Sequence, residues 1–261
     1  MAAGRTAGLG RALDVNAYLD RIAYQGARTG TVETLRALHR AHMFTVPFEN
    51  LDIGLGKRIV CEEDCFVNKV VDKRRGGFCY ELNGAFAALL RELGFQVTLL
   101  SARVSNADGS EGPDFDHLAL RVDLQHPWLV DVGFGDSFVE PLRLEPGLEQ
   151  EQSGRRYRIT VRDGRYGYAA NSKGTWKEQY SFTLQPRWLS EFAAMCHYHQ
   201  TSPDSHFTRQ RICSLATPAG RLTLTGDKLI ETRDGMREER LLNDLESKAI
   251  LLERFGIDLP A

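Results

Sequence analysis

The amino-acid sequence predicts an α+β protein whose helices and strands occupy separate parts of the chain. The first third has apolar residues at the spacing of one helix face, and the middle alternates apolar and polar residues as strands do. The last quarter mixes the two patterns. Because helices and strands do not alternate regularly, we do not expect a parallel βαβ sheet.

Length, charge and cysteine content exclude several classes of protein. The chain has 261 residues, beyond the size that one hydrophobic core usually serves, so we expect more than one subdomain. A net charge of -2 gives no electrostatic case for nucleic acid or an anionic membrane, and no run approaches the ~20 apolar residues of a spanning helix. The N-terminal segment lacks the apolar stretch of a secretory signal, and five scattered cysteines favour a reducing cytoplasm over a disulfide framework.

Apolar residues at helical spacing predict helices throughout the first third. One face of each is formed, in chain order, by Val15, Leu19 and Ile22, by Val32, Leu35 and Leu38, and by Leu82, Phe86, Leu89 and Leu93. Asp14 and Thr31 are suitable N-caps for the first two helices, and Pro47 requires the second to end before it. Gly76-Gly77 precedes the third helix, and Gly94 suits its C-terminal end.

The middle of the chain has the period of β-strands. Leucine and valine at the even positions 118 to 124 alternate with Ala119, Arg121 and Asp123, which is typical of a half-buried strand. A second alternating run follows His126-Pro127, so the two runs predict an antiparallel hairpin. The other expected elements are strands at Val97–Val104, Tyr157–Arg162 and Lys177–Leu184, helices at 188–198 and 241–255, and a hairpin of 222–224 with 228–232.

A cysteine at the start of the third helix is a candidate nucleophile. The segment at residues 74–83 reads Arg-Arg-Gly-Gly-Phe-Cys-Tyr-Glu-Leu-Asn and places Cys79 in the first helical turn, after two glycines that allow a sharp bend. Unpaired N–H groups at a helix N-terminus favour the thiolate, which is the nucleophilic form of cysteine. The alternative is a cysteine that only packs under the helix, which is the commoner fate of free cysteines.

A histidine and an aspartate on the two central strands could supply the base and its orienting group. His117 begins the first strand on the face opposite its leucines, and Asp131 lies in an apolar run, where a bare carboxylate requires a partner. The alternatives are an edge histidine and a turn aspartate with structural roles. Asp131 is closer to the Pro127 turn than His117 is, so the spacing predicts a bulge, an uneven loop or an inserted strand between them.

Several segments of the chain resemble the arylamine N-acetyltransferase family. The specific ones are Arg-Gly-Gly-Phe-Cys at residues 75–79 and Val-Asp-Val-Gly-Phe-Gly at residues 130–135. Looser similarity extends over most of the rest, at residues 14–24, 46–51, 115–120 and 202–220. By this resemblance the chain is identified as a member of the family.

The resemblance implies a fold and a division into domains. Members of the family have an N-terminal helical bundle, a central antiparallel β-barrel and a C-terminal α/β lid, with a Cys-His-Asp core like that of papain and the transglutaminases. The bundle would carry Cys79, and the barrel would carry His117 and Asp131. The implied boundaries are 1–92 for the bundle, 93–187 for the barrel, 188–209 for an interdomain helix and linker, and 210–261 for the lid.

The resemblance also implies a ping-pong reaction with acetyl-CoA as co-substrate and no metal. Cys79 would take the acetyl group and pass it to the nitrogen of an arylamine, an arylhydrazine or an N-hydroxyarylamine. His117 would be the base, and Asp131 would fix its tautomer. The residues that contact CoA, the preferred amine and acyl group, and the oligomeric state stay open at this stage.

An aromatic pocket for the acceptor is implied in the same way. Its expected lining residues are Phe134, Val104, Phe207 and Phe48. For each phenylalanine the alternative is plain core packing. Glu49 and Arg75 are expected to form a structural ion pair near the site. Asp116 departs from the family pattern, because many members carry a neutral residue before the histidine.

The remaining cysteines and histidines do not predict a metal site. Cys61 and Cys65 have the spacing of two ligands on one helix face, but no second pair at zinc-finger spacing accompanies them. We therefore expect both cysteines to be packing residues. His197, His199 and His206 are expected to lie at the surface or between domains.

Other functions share the same candidate residues. A transglutaminase-like enzyme or a peptidase would use the triad on a peptide acyl group. An amide synthase would close a macrolactam on a biosynthetic aromatic amine. A binding module without catalysis would leave Cys79 no more reactive than an ordinary cysteine.

Overall fold

Helices dominate the first third of the computed structural model, which describes residues 13–172 and 174–259. The α-helices are α1 (Val15–Arg21), α2 (Val32–Thr45), α3 (Leu51–Gly54), α4 (Glu63–Val67), α5 (Cys79–Glu92), α6 (Ala193–Thr201), α7 (His206–Arg209) and α8 (Asp244–Phe255). A π-helical turn at Asn68–Asp72 follows α4, and a 3-10 turn at Leu189–Phe192 precedes α6.

The strands form two antiparallel sheets. They are β1 (Phe48–Glu49), β2 (Gln96–Val104), β3 (His117–Asp123), β4 (Pro127–Val130), β5 (Leu142–Arg143), β6 (Glu149–Gln152), β7 (Arg155–Arg162), β8 (Arg165–Ser172), β9 (Thr175–Phe182), β10 (Ile212–Thr217), β11 (Gly220–Thr225), β12 (Lys228–Arg233) and β13 (Met236–Leu241). Within the described residues, the larger sheet has the order β5-β4-β3-β2-β9-β8-β7-β6, and the smaller has the order β1-β10-β11-β12-β13.

Side-chain amides join the two end strands of the larger sheet into a nearly closed barrel. Gln150 accepts a hydrogen bond from the Arg143 N–H at 2.8 Å and donates to the Arg143 carbonyl at 3.1 Å. Gln152 bonds to Glu140 in the same two-way manner, at 2.9 and 2.8 Å. The two amide groups thus replace the backbone hydrogen bonds that would otherwise join β5 to β6. The predicted central β-barrel is confirmed, and so is the α+β class.

The two faces of β3 are buried by different parts of the molecule. Leu118 and Leu120 pack into a core shared with the N-terminal helices, whereas Ala119 faces a second core inside the barrel. The prediction of a half-buried strand is therefore wrong at residues 117–120, which are all buried. Because the helices cover the outside of the barrel here, a histidine at the start of β3 is enclosed from both sides.

The N-terminal helices begin and end where local sequence predicts. The Asp14 side chain accepts from the Ala17 N–H at 3.0 Å, and Thr31 caps α2 by accepting from Thr34 at 3.3 Å. Gly94 has a φ of 85° just after α5, a conformation that glycine adopts without strain. These caps explain why the prediction is confirmed for this part of the chain.

The C-terminal quarter requires a correction. The hairpin predicted around residues 222–232 is confirmed as β11 and β12. The helix expected from residue 241 begins at Asp244, because Asn243 caps it by accepting from the Glu246 N–H at 2.9 Å. Leu241 instead ends β13, an edge strand whose residues are all exposed and whose sequence lacks apolar alternation. In the described part of the chain, no helix is long and apolar enough to cross a membrane.

Candidate active site

Cys79 is placed by a glycine turn at the N-terminus of α5. A Cβ added to Gly76 would overlap the carbonyl oxygen of Pro47, so the turn approaches this neighbour more closely than any other residue allows. The Gly77 carbonyl accepts from the Glu49 N–H at 2.8 Å and joins the turn to β1. Cys79 is the first residue of α5 and is 3% exposed. The predicted position of this cysteine at a helix start is confirmed.

A buried network of charges supports the turn from behind. Arg75 forms the expected ion pair with Glu49, at 2.8 Å, and also lies 3.2 Å from Asp52. Lys69 from the π-helical turn lies 2.8 Å from both Asp52 and Glu81. Burial raises the pKa of Glu81 to about 7, and Lys69 beside it opposes this rise. The charges are paired with one another, so the network holds the turn without a free group for chemistry.

His117 and Asp131 are in direct contact across two neighbouring strands. Nε2 of His117 lies 2.7 Å from Oδ2 of Asp131, and both residues are almost fully buried. The register of β3 and β4 is regular, with Leu120 opposite Val130, and Asp131 lies one residue beyond the end of β4. Of the bulge, uneven loop or inserted strand that we expected, the bulge and the inserted strand are wrong, because β3 and β4 pair directly and residues 124–126 connect them. In this register Asp131 is opposite residue 119, and its side chain reaches His117 diagonally across the two strands.

Donors from several elements surround the Asp131 carboxylate. Oδ1 accepts from the Asn83 side chain at 2.8 Å and from the Gly133 N–H at 2.9 Å. Oδ2 accepts from the Tyr180 hydroxyl at 2.9 Å in addition to His117. Sequence reasoning missed Asn83 and Tyr180. Asn83 lies four residues after Cys79 in an apolar helix, and that spacing was a signal that could have identified it.

His39 on α2 holds the backbone of Asp131 from the far side. Its Nδ1 lies 2.8 Å from the Val139 carbonyl, and its Nε2 lies 3.1 Å from the Asp131 carbonyl. The Asp131 N–H also lies within hydrogen-bond distance of Nε2, at 3.3 Å, so both backbone polar groups of Asp131 face this ring. Burial lowers the pKa of His39 to about 4, which keeps the ring neutral. His39 was also missed by sequence reasoning, because a lone histidine on a helix face carries no specific signal.

The charge state of the triad follows from these contacts. Burial by itself lowers the pKa of His117, but the Asp131 carboxylate and the hydrogen-bonded Cys79 side chain outweigh it and raise this pKa to about 10. Burial would raise the pKa of Asp131, but the imidazole and the Asn83 and Gly133 donors hold it below its ordinary value. The imidazole therefore retains its proton near neutral pH and faces the cysteine as a cation.

A cavity of about 1440 Å³ opens over Cys79 and His117. The expected pocket residues Phe48, Val104, Phe134 and Phe207 all line it. The Phe134 ring lies 5.1 Å from the His117 ring, and Phe207 lies 6.1 Å from Phe48. Residues of the smaller sheet, including Thr223 and Arg221, also line the cavity. The cavity is larger than a simple arylamine needs, so it has room for a second, larger molecule.

Comparison of the sequence with known proteins shows which family the chain belongs to. A family model described as N-acetyltransferase matches residues 31–261. Arylamine N-acetyltransferase from Mycolicibacterium smegmatis is 37% identical over 95% of this chain and 93% of its own length. The corresponding Escherichia coli enzyme is 35% identical over 93% of this chain and 88% of its own length. The chain belongs to the arylamine N-acetyltransferase family.

Solved structures of the same family share the whole fold. The arylamine N-acetyltransferase of Mycobacterium marinum is 35% identical and superposes with a TM-score of 0.88, covering 94% of this chain and 93% of that one. The Salmonella typhimurium member gives a TM-score of 0.89 at 32% identity, covering 95% and 92%. The M. marinum enzyme has also been solved in complex with CoA. These neighbours confirm the predicted fold class.

The other cysteines and histidines of the described residues do not form a candidate metal site. Within residues 13–172 and 174–259, no group of three or more His, Cys, Asp or Glu side chains could hold a metal ion. Cys61 is half-buried, but Cys65 is exposed, so the expectation that both pack in the interior is wrong for Cys65. His197 and His206 are exposed, whereas His199 is buried between helices.

Proposed function

We propose that this protein transfers an acetyl group from acetyl-CoA, through Cys79, to the nitrogen of arylamines, arylhydrazines or N-hydroxyarylamines. The observation that carries the proposal is the buried ion pair of His117 with Asp131, 2.7 Å apart, which meets Cys79 at the floor of an aromatic cavity. Membership of the arylamine N-acetyltransferase family supports this substrate class over peptides. The donor is supported by the CoA complex of the M. marinum relative.

The first half-reaction acetylates the cysteine. The Cys79 thiolate attacks the carbonyl carbon of the acetyl thioester, and a new S–C bond forms as the C–S bond to CoA breaks. The leaving CoA thiolate takes the proton from the His117 imidazolium. Because the cysteine then has no negative charge, one of the causes that raise the pKa of His117 is removed. His117 is left as a neutral base beside the acetyl group.

The second half-reaction transfers the acetyl group to the amine. The amine nitrogen attacks the Cys79 thioester, a C–N bond forms and the S–C bond breaks. His117 takes the proton from the nitrogen, so the thiolate and the imidazolium are restored together. Asp131 stays ionised throughout and holds Nε2 of the ring, which leaves Nδ1 for the thiol.

Aromatic side chains above the triad would hold the acceptor ring. Phe134 packs against His117, and Phe48 and Phe207 contact each other on the other side of the cavity. Val104 completes an apolar wall that suits an aryl group. Free thiols and a CoA donor fit a cytoplasmic location, which we propose with the reaction.

Initial rates with both substrates varied test the order of these steps. The proposal predicts parallel lines in double-reciprocal plots, because CoA leaves before the amine reacts. Cys79→Ser is expected to lose activity, whereas Cys65→Ser, at an exposed position, is expected to keep it. Intersecting lines would mean that both substrates bind before transfer, and full activity in Cys79→Ser would exclude the cysteine as the nucleophile.

A further inference from the structure

Asp116, the residue before His117, contacts a buried histidine on helix α6. Oδ1 of Asp116 lies 3.0 Å from Nε2 of His199, and the side chains are 15% and 6% exposed. The contact is a close approach of a carboxylate to an imidazole nitrogen, and Nε2 has no other hydrogen-bond partner among the described residues. A buried ring nitrogen loses its hydration on folding, and the Asp116 carboxylate compensates this loss.

The other side of His199 is also anchored. Its Nδ1 lies 3.1 Å from the hydroxyl of Ser205, which caps α7 by accepting from the Phe207 N–H at 3.3 Å. Its ring lies 6.1 Å from Tyr80 and 5.2 Å from Phe207. His199 therefore links the first turn of α5, the cavity wall and the segment that leads into β3.

The backbone just before His117 is strained. Phe115 has a φ of 65°, a left-handed conformation that costs free energy for a bulky side chain. The Tyr80 hydroxyl donates to the carbonyls of Phe115 and Asp116, at 2.8 and 3.2 Å, and Ser101 accepts from the Phe115 N–H at 2.7 Å. Because these hydrogen bonds hold residues 115–116 in a strained conformation, we expect the segment to shift when one of its contacts is lost.

We propose that the contact of the Asp116 carboxylate with the His199 imidazole positions His117 for the acetyl transfer proposed above, on which this inference rests. The pair holds the strained segment at residues 115–116 against α6 and keeps the Asp116 carboxylate turned away from the imidazole. His117 then has Asp131 as its carboxylate partner and keeps its distance from Cys79. His199 touches neither reacting atom, so it is a positioning residue.

Titratable groups from several elements face the His199 ring. Tyr80 approaches from α5, Asp116 from the segment before β3, Tyr198 from α6 itself, and His206 from α7. Partial burial of the His206 ring lowers the pKa of His206, and the neighbouring His199 and Arg209 lower it further, whereas Asp116 opposes this shift.

The test measures how fast iodoacetamide alkylates Cys79 across a range of pH, with each cysteine followed separately by peptide mass spectrometry. This readout needs neither acetyl-CoA nor an amine. We expect His199→Leu to slow alkylation about tenfold at neutral pH, as for residues coupled in one network, and His199→Gln to recover most of the rate because it keeps an N–H donor. His197→Leu, on an exposed position of the same helix, is the matched control and should react like wild type.

A double-mutant cycle guards against a variant that does not fold. Asp116→Asn keeps the shape of the side chain and is expected to slow alkylation about fivefold, and adding His199→Leu to it should cause little further loss. Wild-type rates in His199→Leu or in Asp116→Asn, or losses that simply multiply, would overturn the proposal. If Cys79 of the wild type reacts no faster than the exposed Cys65, the proposed function itself fails instead.

Discussion

At the scale of single residues, the site must keep a carboxylate ionised where no water reaches it. Asp131 is fully buried, and its two oxygens accept from Asn83, Gly133, His117 and Tyr180. These donors replace the hydration that the carboxylate loses on folding. The charge of Asp131 in turn keeps the proton on His117, so the hydrogen bonds around one residue determine the state of another.

Removal of the Tyr180 hydroxyl tests whether hydrogen bonds to Asp131 keep His117 protonated. Tyr180→Phe should lower kcat/KM about tenfold, because a hydrogen bond to a charged group contributes about 1.5 kcal/mol or more. Tyr166→Phe, at a half-buried tyrosine on the neighbouring strand β8, is the matched control and should keep the wild-type value. Equal rates for the two variants would show that Tyr180 does not stabilise the ionised triad.

The pH dependence of stability tests the raised pKa of His117. Its folded pKa is about 10 and its ordinary value is 6.5, so the stabilisation is complete below pH 6.5 and is lost as the pH rises through 10. We expect the free energy of unfolding to fall by about a few kcal/mol over this pH range, as the size of the pKa shift of His117 implies. Urea denaturation of wild type and His117→Gln measures it.

The difference between the two proteins is the informative quantity, because other groups also titrate. Glu81, with a pKa raised to about 7, makes the fold less stable as the pH rises from about 4.5 to 7, in both proteins. A difference between wild type and His117→Gln that stays constant from pH 6.5 to 10 would contradict the ion pair.

At the scale of elements, helix α5 connects the cysteine to the barrel. Its first turn carries Cys79 and its second turn carries Asn83, which donates to both Asp131 and the Leu118 carbonyl. Gly133 packs against this turn, since a Cβ there would lie 2.8 Å from the Cys79 Cα and from the Asn83 amide nitrogen. One helix thus sets the distance between the nucleophile and the strands that carry its partners.

An extra methyl group on Gly133 should push the segment after β4 away from the first turns of α5. Gly133→Ala is expected to cost about 1–3 kcal/mol of stability by overpacking and to lower kcat/KM as well. Gly30→Ala adds the same methyl group in open space and should change stability by less than about 0.5 kcal/mol. Thermal denaturation and steady-state rates decide the matter, and wild-type behaviour in Gly133→Ala would refute the close approach.

Elements with strong local signals were predictable, and those determined by distant contacts were not. Asp14, Thr31 and Gly94 mark helix ends by their own chemistry, so α1, α2 and α5 follow from sequence. By contrast, β13 is an exposed edge strand that forms because β12 lies beside it. The diagonal contact of His117 with Asp131 depends on side-chain reach across a register that local sequence does not contain.

At the scale of the whole molecule, the cavity lies between parts of the chain that are far apart in sequence. Asn50 joins two of them, because it donates to the carbonyls of Phe207 and Gln210 and accepts from the Ile212 N–H. Residues such as Asn50 carried no sequence signal, since their partners are about 160 residues away. The family resemblance supplied the three-part architecture, whereas the boundaries at 92, 187 and 209 stay predictions.

Loss of the Asn50 side chain should loosen this join. Asn50→Ala is expected to lower the free energy of unfolding by about 2–3 kcal/mol, because buried backbone groups lose their partners. It should also raise the KM for the amine, because Phe207 on the cavity wall is no longer held. Asn68→Ala, which removes one exposed hydrogen bond, is the control. Identical stability of the two variants would contradict the role assigned to Asn50.

The intact mass of the protein after brief exposure to acetyl-CoA tests the central claim most directly. Wild type should gain one acetyl group, Cys79→Ala should gain none, and addition of an arylhydrazine should remove the group from wild type. Absence of the adduct on a folded wild type with a reactive Cys79, or an adduct that the hydrazine does not discharge, would contradict acetyl transfer through this cysteine.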